Sequence, residues 1–220
     1  MSRETTVAWA EGEVTALAAG SGPVGILLAH GAGAGQDHPA MTALRDGLAG
    51  ADHTVMTFNY PYIERGSKRP DRQEKLLDCH RAVADTLAGE VDEMFLAGRS
   101  MGGRMGTYLA AEGFPTSGLI LYAYPLHPAG KPEMLRVSQF DQIAVPMLFF
   151  QGTRDALSRM DLFEEHIARL PNVEVEVLEG AGHGYRGGGW DQERITDRYV
   201  TGSIPWIERH SSGTSTRHRP

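Results

Sequence analysis

Ser100 stands in the run Phe95-Leu96-Ala97-Gly98-Arg99-Ser100-Met101-Gly102-Gly103, where an apolar stretch of strand character gives way to a helix-like one. A serine at such a junction is held out on a sharp turn, and its hydroxyl becomes a nucleophile once a nearby base can take its proton. The turn demands unusual backbone angles and a close approach of the two segments, so neighbours without a Cβ are needed. Gly98 and Gly102 meet that need. In a chain with 27 glycines the bare Gly-x-Ser-x-Gly pattern says little, and its weight comes from its surroundings.

Those surroundings begin upstream, where Val24-Gly25-Ile26-Leu27-Leu28-Ala29 reads as a buried strand ending in His30-Gly31-Ala32-Gly33-Ala34-Gly35. A glycine-rich turn there can offer backbone N–H groups to a developing oxyanion. The donors expected are the N–H groups of Ala32 and of Met101, with the helix that opens at Ser100 adding positive potential. His30 is expected to support this loop and not to act as a base. Downstream, the apolar strand Pro146 to Gln151 ends in Gly152-Thr153-Arg154-Asp155, and the alternating strand Val173 to Leu178 ends in Gly180-Ala181-Gly182-His183-Gly184. Asp155 and His183 are therefore the expected acid and base. Taken singly, an aspartate after a strand caps helices and a histidine in a glycine loop is ordinary surface. Four elements in the order serine, acid, histidine, each on a strand end, argue for a catalytic set.

With those residues in view, the chain resembles the α/β hydrolases from about residue 23 to about residue 208. The segments His30 to Ala34, Phe58-Asn59-Tyr60-Pro61-Tyr62, Arg69-Pro70-Asp71-Arg72, Gly98 to Arg104, Tyr124 to Pro128 and Gly130-Lys131-Pro132 resemble one small branch of that superfamily. That branch is similar in size to dienelactone hydrolases. It includes bacterial hydrolases and the hydrolase-like domain of a subunit of a nuclear histone-acetylation complex. Dienelactone hydrolases proper use cysteine where Ser100 stands, and Ala156 replaces a proline that relatives often carry after the acid. The resemblance implies a serine hydrolase acting on esters, thioesters or lactones of small acids through an acyl-enzyme, with no metal or organic cofactor. Cofactor-free perhydrolysis by the same residues is a further implication, and the nuclear relatives imply that the fold can also serve as a catalytically silent interaction module.

The elements needed to position these groups follow the same pattern. Strands at 5–10 and 13–18 look like an antiparallel edge pair. Strand 23–29, helix 38–50, strand 53–58, helix 71–88, strand 92–97, helix 100–112, strands 118–123 and 145–151, helix 158–170, strand 173–178 and helix 190–209 then alternate. Such alternation predicts a mostly parallel, twisted sheet covered by helices on both faces, with ligands at the carboxyl ends of the strands. The fold class expected is α/β, a single domain over 1–210 with no cap domain, and 211–220 a disordered tail. About twenty residues between Tyr124 and Val145 are too few for a helical cap, so an open site suited to short substrates is expected.

Several cations fall near the strand ends: Arg65, Lys68, Arg69 and Arg72, then Arg99 beside the nucleophile, then Lys131 and Arg136. Arginine forks suit carboxylates or phosphates. Arg99, Arg69, Tyr60 and His127 are the expected substrate-binding residues, with an anionic small molecule as the partner. A net charge of −7 argues against nucleic-acid binding, no run of about 20 apolar residues suits a membrane, and the scattered histidines predict no metal site. The single cysteine, Cys79, fits a core position. No signal peptide is visible, which predicts a cytoplasmic protein. The oligomeric state is left open by the sequence.

Overall fold

The computed structural model describes residues 2–212. Two antiparallel strands, β1 (Arg3–Trp9) and β2 (Gly12–Ala19), form one edge of an 8-stranded sheet. Six further strands follow: β3 (Val24–Ala29), β4 (His53–Phe58), β5 (Glu93–Arg99), β6 (Gly118–Tyr122), β7 (Met147–Gly152) and β8 (Val173–Leu178). The order across the sheet is β1-β2-β4-β3-β5-β6-β7-β8, and every pair from β4 to β8 is parallel. The chain leaves β3 toward β4 and then returns to place β5 on the other side of β3. At that switch point the connections from neighbouring strands diverge, which opens a crevice at their carboxyl ends. Ala29 pairs with Gly98 there, so the loop after β3 and the turn after β5 emerge side by side.

Six helices cover the sheet among the described residues: α1 (Pro39–Ala49), α2 (Pro61–Glu64), α3 (Gln73–Ala88), α4 (Met101–Ala111), α5 (Met160–His166) and α6 (Gln192–His210). Alternate residues of a strand face opposite ways, and two cores result. Ile26, Leu28, Phe95 and Phe150 pack with Leu44 and Leu48 of α1 and with Tyr199 and Trp206 of α6. Leu27, Leu96, Leu121 and Phe149 pack with residues of α3, α4 and α5 on the other face. Burial on both faces explains why the central strands read as unbroken apolar runs. The edge strand β8 alternates instead, and its Glu174 and Glu176 pair with Arg209 and Arg198 of α6.

The structure departs from the sequence expectations at a few ends. The short α2 and a single 3-10 turn at Phe140–Gln142 lie inside segments read as loops. Helix α5 runs over Met160–His166, shorter than 158–170 at both ends, and the N–H groups of Leu157 and Arg159 just before it are taken by Asp155 and His127. The expected tail lies outside the described residues over 213–220. Ser212 is described, and its N–H donates to Glu93 at 3.1 Å. Between β6 and β7 the 3-10 turn is the one helical element, so no helical cap covers the strand ends. No helix among the described residues is long and apolar enough to cross a membrane.

Beneath the β3 loop lies a buried polar cluster. His30 donates from Nδ1 to the Gly31 carbonyl at 2.8 Å and accepts the Tyr60 N–H at Nε2 at 3.2 Å. The Tyr60 phenol lies 2.9 Å from Nδ1 of His80 on α3. Burial pushes the His30 pKa down to about 4, and burial together with the neighbouring His30 pushes His80 down to about 3. Cys79 is buried beside them, and desolvation pushes its thiol up to about 12, so it is an inert core residue.

Both imidazoles are held neutral in the folded chain. Below the ordinary value of 6.5, the unfolded chain binds protons that the folded chain refuses, and stability falls as pH drops from there toward about 4. Each histidine contributes about 1.4 kcal/mol per pH unit within its window. Urea unfolding at neutral and at mildly acidic pH should show this loss, and His80→Gln should make it visibly shallower. An identical loss in His80→Gln would assign the acid sensitivity to other groups.

Candidate active site

The turn between β5 and α4 is built by close packing. Ser100 takes φ 50° and ψ −113°, a conformation that a residue with a Cβ holds only when its surroundings enforce it. Its own N–H donates to the Tyr122 carbonyl at 2.9 Å. A Cβ on Gly98 would stand 2.4 Å from the Gly103 nitrogen, and one on Gly102 would stand 2.4 Å from the Ala29 carbonyl oxygen. Both glycines are therefore required by backbone-to-backbone contact.

Three side chains converge at the carboxyl ends of the strands. Ser100 Oγ lies 2.9 Å from His183 Nε2. His183 Nδ1 lies 2.8 Å from Oδ2 and 3.1 Å from Oδ1 of Asp155. Asp155 has a side chain of 0 % exposure, against 23 % for His183. The buried carboxylate also accepts the Leu157 N–H at 2.7 Å and the Gln151 amide at 3.2 Å. Those bonds fix its orientation, and they also shape the loop at Ala156 without a proline. Gln151 is a site residue that sequence reasoning missed. A lone amide closing an otherwise apolar strand was its signal.

Ala32 and Met101 line one small pocket with Ser100, of about 230 Å³. Met101 is the first residue of α4, so its N–H lies beyond the intrahelical ladder and in the positive end of the helix dipole. The arrangement puts a hydroxyl, an imidazole backed by a carboxylate, and the start of a helix next to one another. Such a set can transfer an acyl group through a covalent intermediate.

None of the four expected substrate-binding residues lines the Ser100 pocket. Tyr60 is wholly buried and occupied with His30 and His80, so it supports the β3 loop from below. His127 is also buried: its Nδ1 donates to the Pro128 carbonyl at 2.9 Å and its Nε2 accepts the Arg159 N–H at 3.1 Å. It joins the loop after β6 to the one that carries Asp155. Arg69 is exposed, and it does not line the Ser100 pocket. Arg99 donates to the backbone carbonyl of His183 and lies 4.3 Å from the centre of the Tyr185 ring, which stacks on His38. It holds the His183 loop along one wall of a neighbouring cleft of about 580 Å³, which Arg99 also lines. Arg104 and Arg136 do line the Ser100 pocket. Arg104 was legible in principle, since it follows Ser100 by one helical turn and shares its face.

Residues 23–203 match the family model described as the alpha/beta hydrolase domain. The chain belongs to that family. A lidless α/β serine hydrolase from Xanthomonas campestris superposes with a TM-score of 0.70 at 19% identity, covering 100% of this chain and 97% of that one. An α/β serine hydrolase homologue from Coxiella burnetii gives a TM-score of 0.72 at 18% identity, over 91% and 96% of the two chains. An esterase from Pyrococcus furiosus gives 0.77 at 14% identity, over 95% and 92%. At such identities the likeness is one of fold. The α/β hydrolase fold without a cap is thus the fold of this chain, as the segment between β6 and β7 requires.

The packing at the elbow makes a prediction. Gly102→Ala should destabilise the chain by about 2–3 kcal/mol, because the new Cβ meets backbone on a neighbouring strand. Urea unfolding checks this, and a midpoint equal to that of the native chain would contradict it.

Proposed function

We propose that this chain is a serine hydrolase cleaving ester, thioester or lactone bonds of small substrates, with Ser100, His183 and Asp155 as its catalytic residues. The observation that carries the reading is the 2.9 Å approach of Ser100 Oγ to His183 Nε2, with Asp155 buried behind the same imidazole. Ser100 Oγ attacks the substrate carbonyl as its proton passes to His183 Nε2. Asp155 accepts the Nδ1–H bond throughout and stabilises the imidazolium. Negative charge grows on the former carbonyl oxygen, where the N–H groups of Ala32 and Met101 can receive it. His183 then gives its proton to the leaving alcohol, thiol or lactone oxygen, and the acyl group remains on Ser100. Water, deprotonated by His183, releases the acid and restores the serine. Only the neutral imidazole can take the first proton, so activity falls on acidification.

The family and the lidless fold support the hydrolase class, and the open pocket supports small acyl groups. Labelling by a fluorophosphonate probe, with hydrolysis of a short aryl ester, tests the assignment. Ser100→Ala, His183→Ala and the double variant should fall to a common residual activity, on the order of 10⁴-fold or more below native in kcat. Asp155→Asn should lose less. A folded chain that neither reacts with the probe nor turns over esters would leave the interaction-module reading in place.

Arg99 offers a separate check. Holding the backbone of His183, it affects the placement of the base, so Arg99→Met should lower kcat by about tenfold with a smaller change in KM. A rise in KM alone, confined to anionic esters, would return Arg99 to substrate binding.

A further inference from the structure

The pocket at Ser100 is unusually cationic for its size. It is about 230 Å³ and is lined by Ala32, Met101, Asp71, Arg104 and Arg136 as well as by Ser100. Neither Arg104 nor Arg136 forms an ion pair among the described residues. Arg104 Nε is buried without a hydrogen-bond partner, and Arg136 spends one Nη donor on the Pro125 carbonyl at 3.2 Å. The one carboxylate on the wall, Asp71, pairs through Oδ1 with Arg65 at 2.7 Å, and its Oδ2 is buried without a hydrogen-bond partner. Arginine is charged at any working pH, so two guanidinium ions share a small, partly desolvated space. Burial, and then the charge of Arg104, push the Arg136 guanidinium below its ordinary range, and a bound anion would relieve that cost.

The backbones that carry the two arginines are tied together. The Thr107 hydroxyl donates to the Arg104 carbonyl at 2.7 Å, and the Gln139 amide donates to Thr107 Oγ1 at 2.9 Å and to the Tyr124 phenol at 2.8 Å. Tyr124 in turn donates to the Arg136 carbonyl at 2.8 Å. This buried chain of bonds fixes the two backbone positions relative to each other before any ligand arrives, which lowers the ordering cost of anion recognition. Position in the reaction follows from His183. The leaving group takes its proton from His183 Nε2 and departs along the His183 loop, toward the cleft lined by Gly31, Arg99 and Tyr185. The Ser100 pocket includes neither His183 nor its loop in its lining, which leaves it to the acyl part of the substrate.

We propose that Arg104 and Arg136 form a carboxylate-binding subsite on the acyl side of Ser100, and that the preferred substrates are monoesters or thioesters of short dicarboxylic acids. This rests on the serine-hydrolase reading. Asp71 on the same wall favours a monoanionic carboxylate over a dianionic phosphate.

The umbelliferyl monoester of adipic acid and umbelliferyl hexanoate differ only in the terminal carboxylate. The native chain should prefer the adipate ester in kcat/KM by about tenfold or more, and Arg104→Met and Arg136→Met should each reduce that preference by about tenfold. Arg104→Lys, which keeps a charge without the fork, should retain part of it. Circular dichroism confirms folding of each variant. A native chain with no preference, or a preference untouched by both methionine variants, would overturn the subsite. Titration calorimetry with adipate on the native chain, against hexanoate, needs no variant and no turnover. Adipate binding that hexanoate does not match supports the subsite even if Ser100 proves unreactive to the fluorophosphonate, in which case the hydrolase reading alone has failed. Absence of adipate binding to a catalytically active chain overturns the subsite and leaves that reading standing.

Discussion

Ser100 turns the chain from a central strand into a helix at φ 50°, a conformation that costs a residue with a side chain about 1–3 kcal/mol. The sheet holds it there because the glycines on either side let α4 pack directly on backbone: Gly98 against Gly103, Gly102 against the Ala29 carbonyl. That contact does two things at once. It lifts the serine hydroxyl clear of the sheet, and it docks the start of α4 against the strand whose loop carries Ala32. Ser100, the helix N-terminus and the glycine loop therefore share one point, where backbone packs directly on backbone.

Around that point, three imidazoles are used in two different ways, and burial with hydrogen-bond partners decides which. His30 is sealed beneath the glycine loop, with both ring nitrogens engaged by backbone groups. His127 is sealed in the same way between the loops after β6 and β7. Each therefore works as a cross-brace. His183 alone of these three meets a hydroxyl on one nitrogen and a carboxylate on the other, while staying open to solvent. Arg99 belongs with the braces, since its guanidinium ties the His183 backbone to the elbow. The site thus stays open without a cap, and its geometry comes from ties between loops beneath it.

The strand ends and their chemistry were legible because the central strands are apolar on both faces and stop abruptly at glycine loops. Ser100, Asp155 and His183 were read from strand ends, glycine loops and chain order, and the structure brings their side chains within hydrogen-bonding distance of one another. Residues whose roles depend on side-chain direction were not legible in this way. Arg99 and Arg104 both flank Ser100, but Arg99, the last residue of β5, turns to the His183 loop while Arg104 follows the helix face back to the serine. Tyr60 and His127 sit at strand ends as pocket residues would, and turn inward to bury their rings.

The central claim is that an acyl group passes through Ser100 on a preformed set of partners. Rapid mixing with a short aryl ester, acid quenching and mass spectrometry of the intact chain and its peptides tests it most directly. The account predicts a transient mass increase equal to the acyl group, carried by the peptide containing Gly98 to Arg104 and absent in Ser100→Ala. Ester hydrolysis by the native chain with the acyl group trapped on another residue, or undiminished in Ser100→Ala, would contradict it.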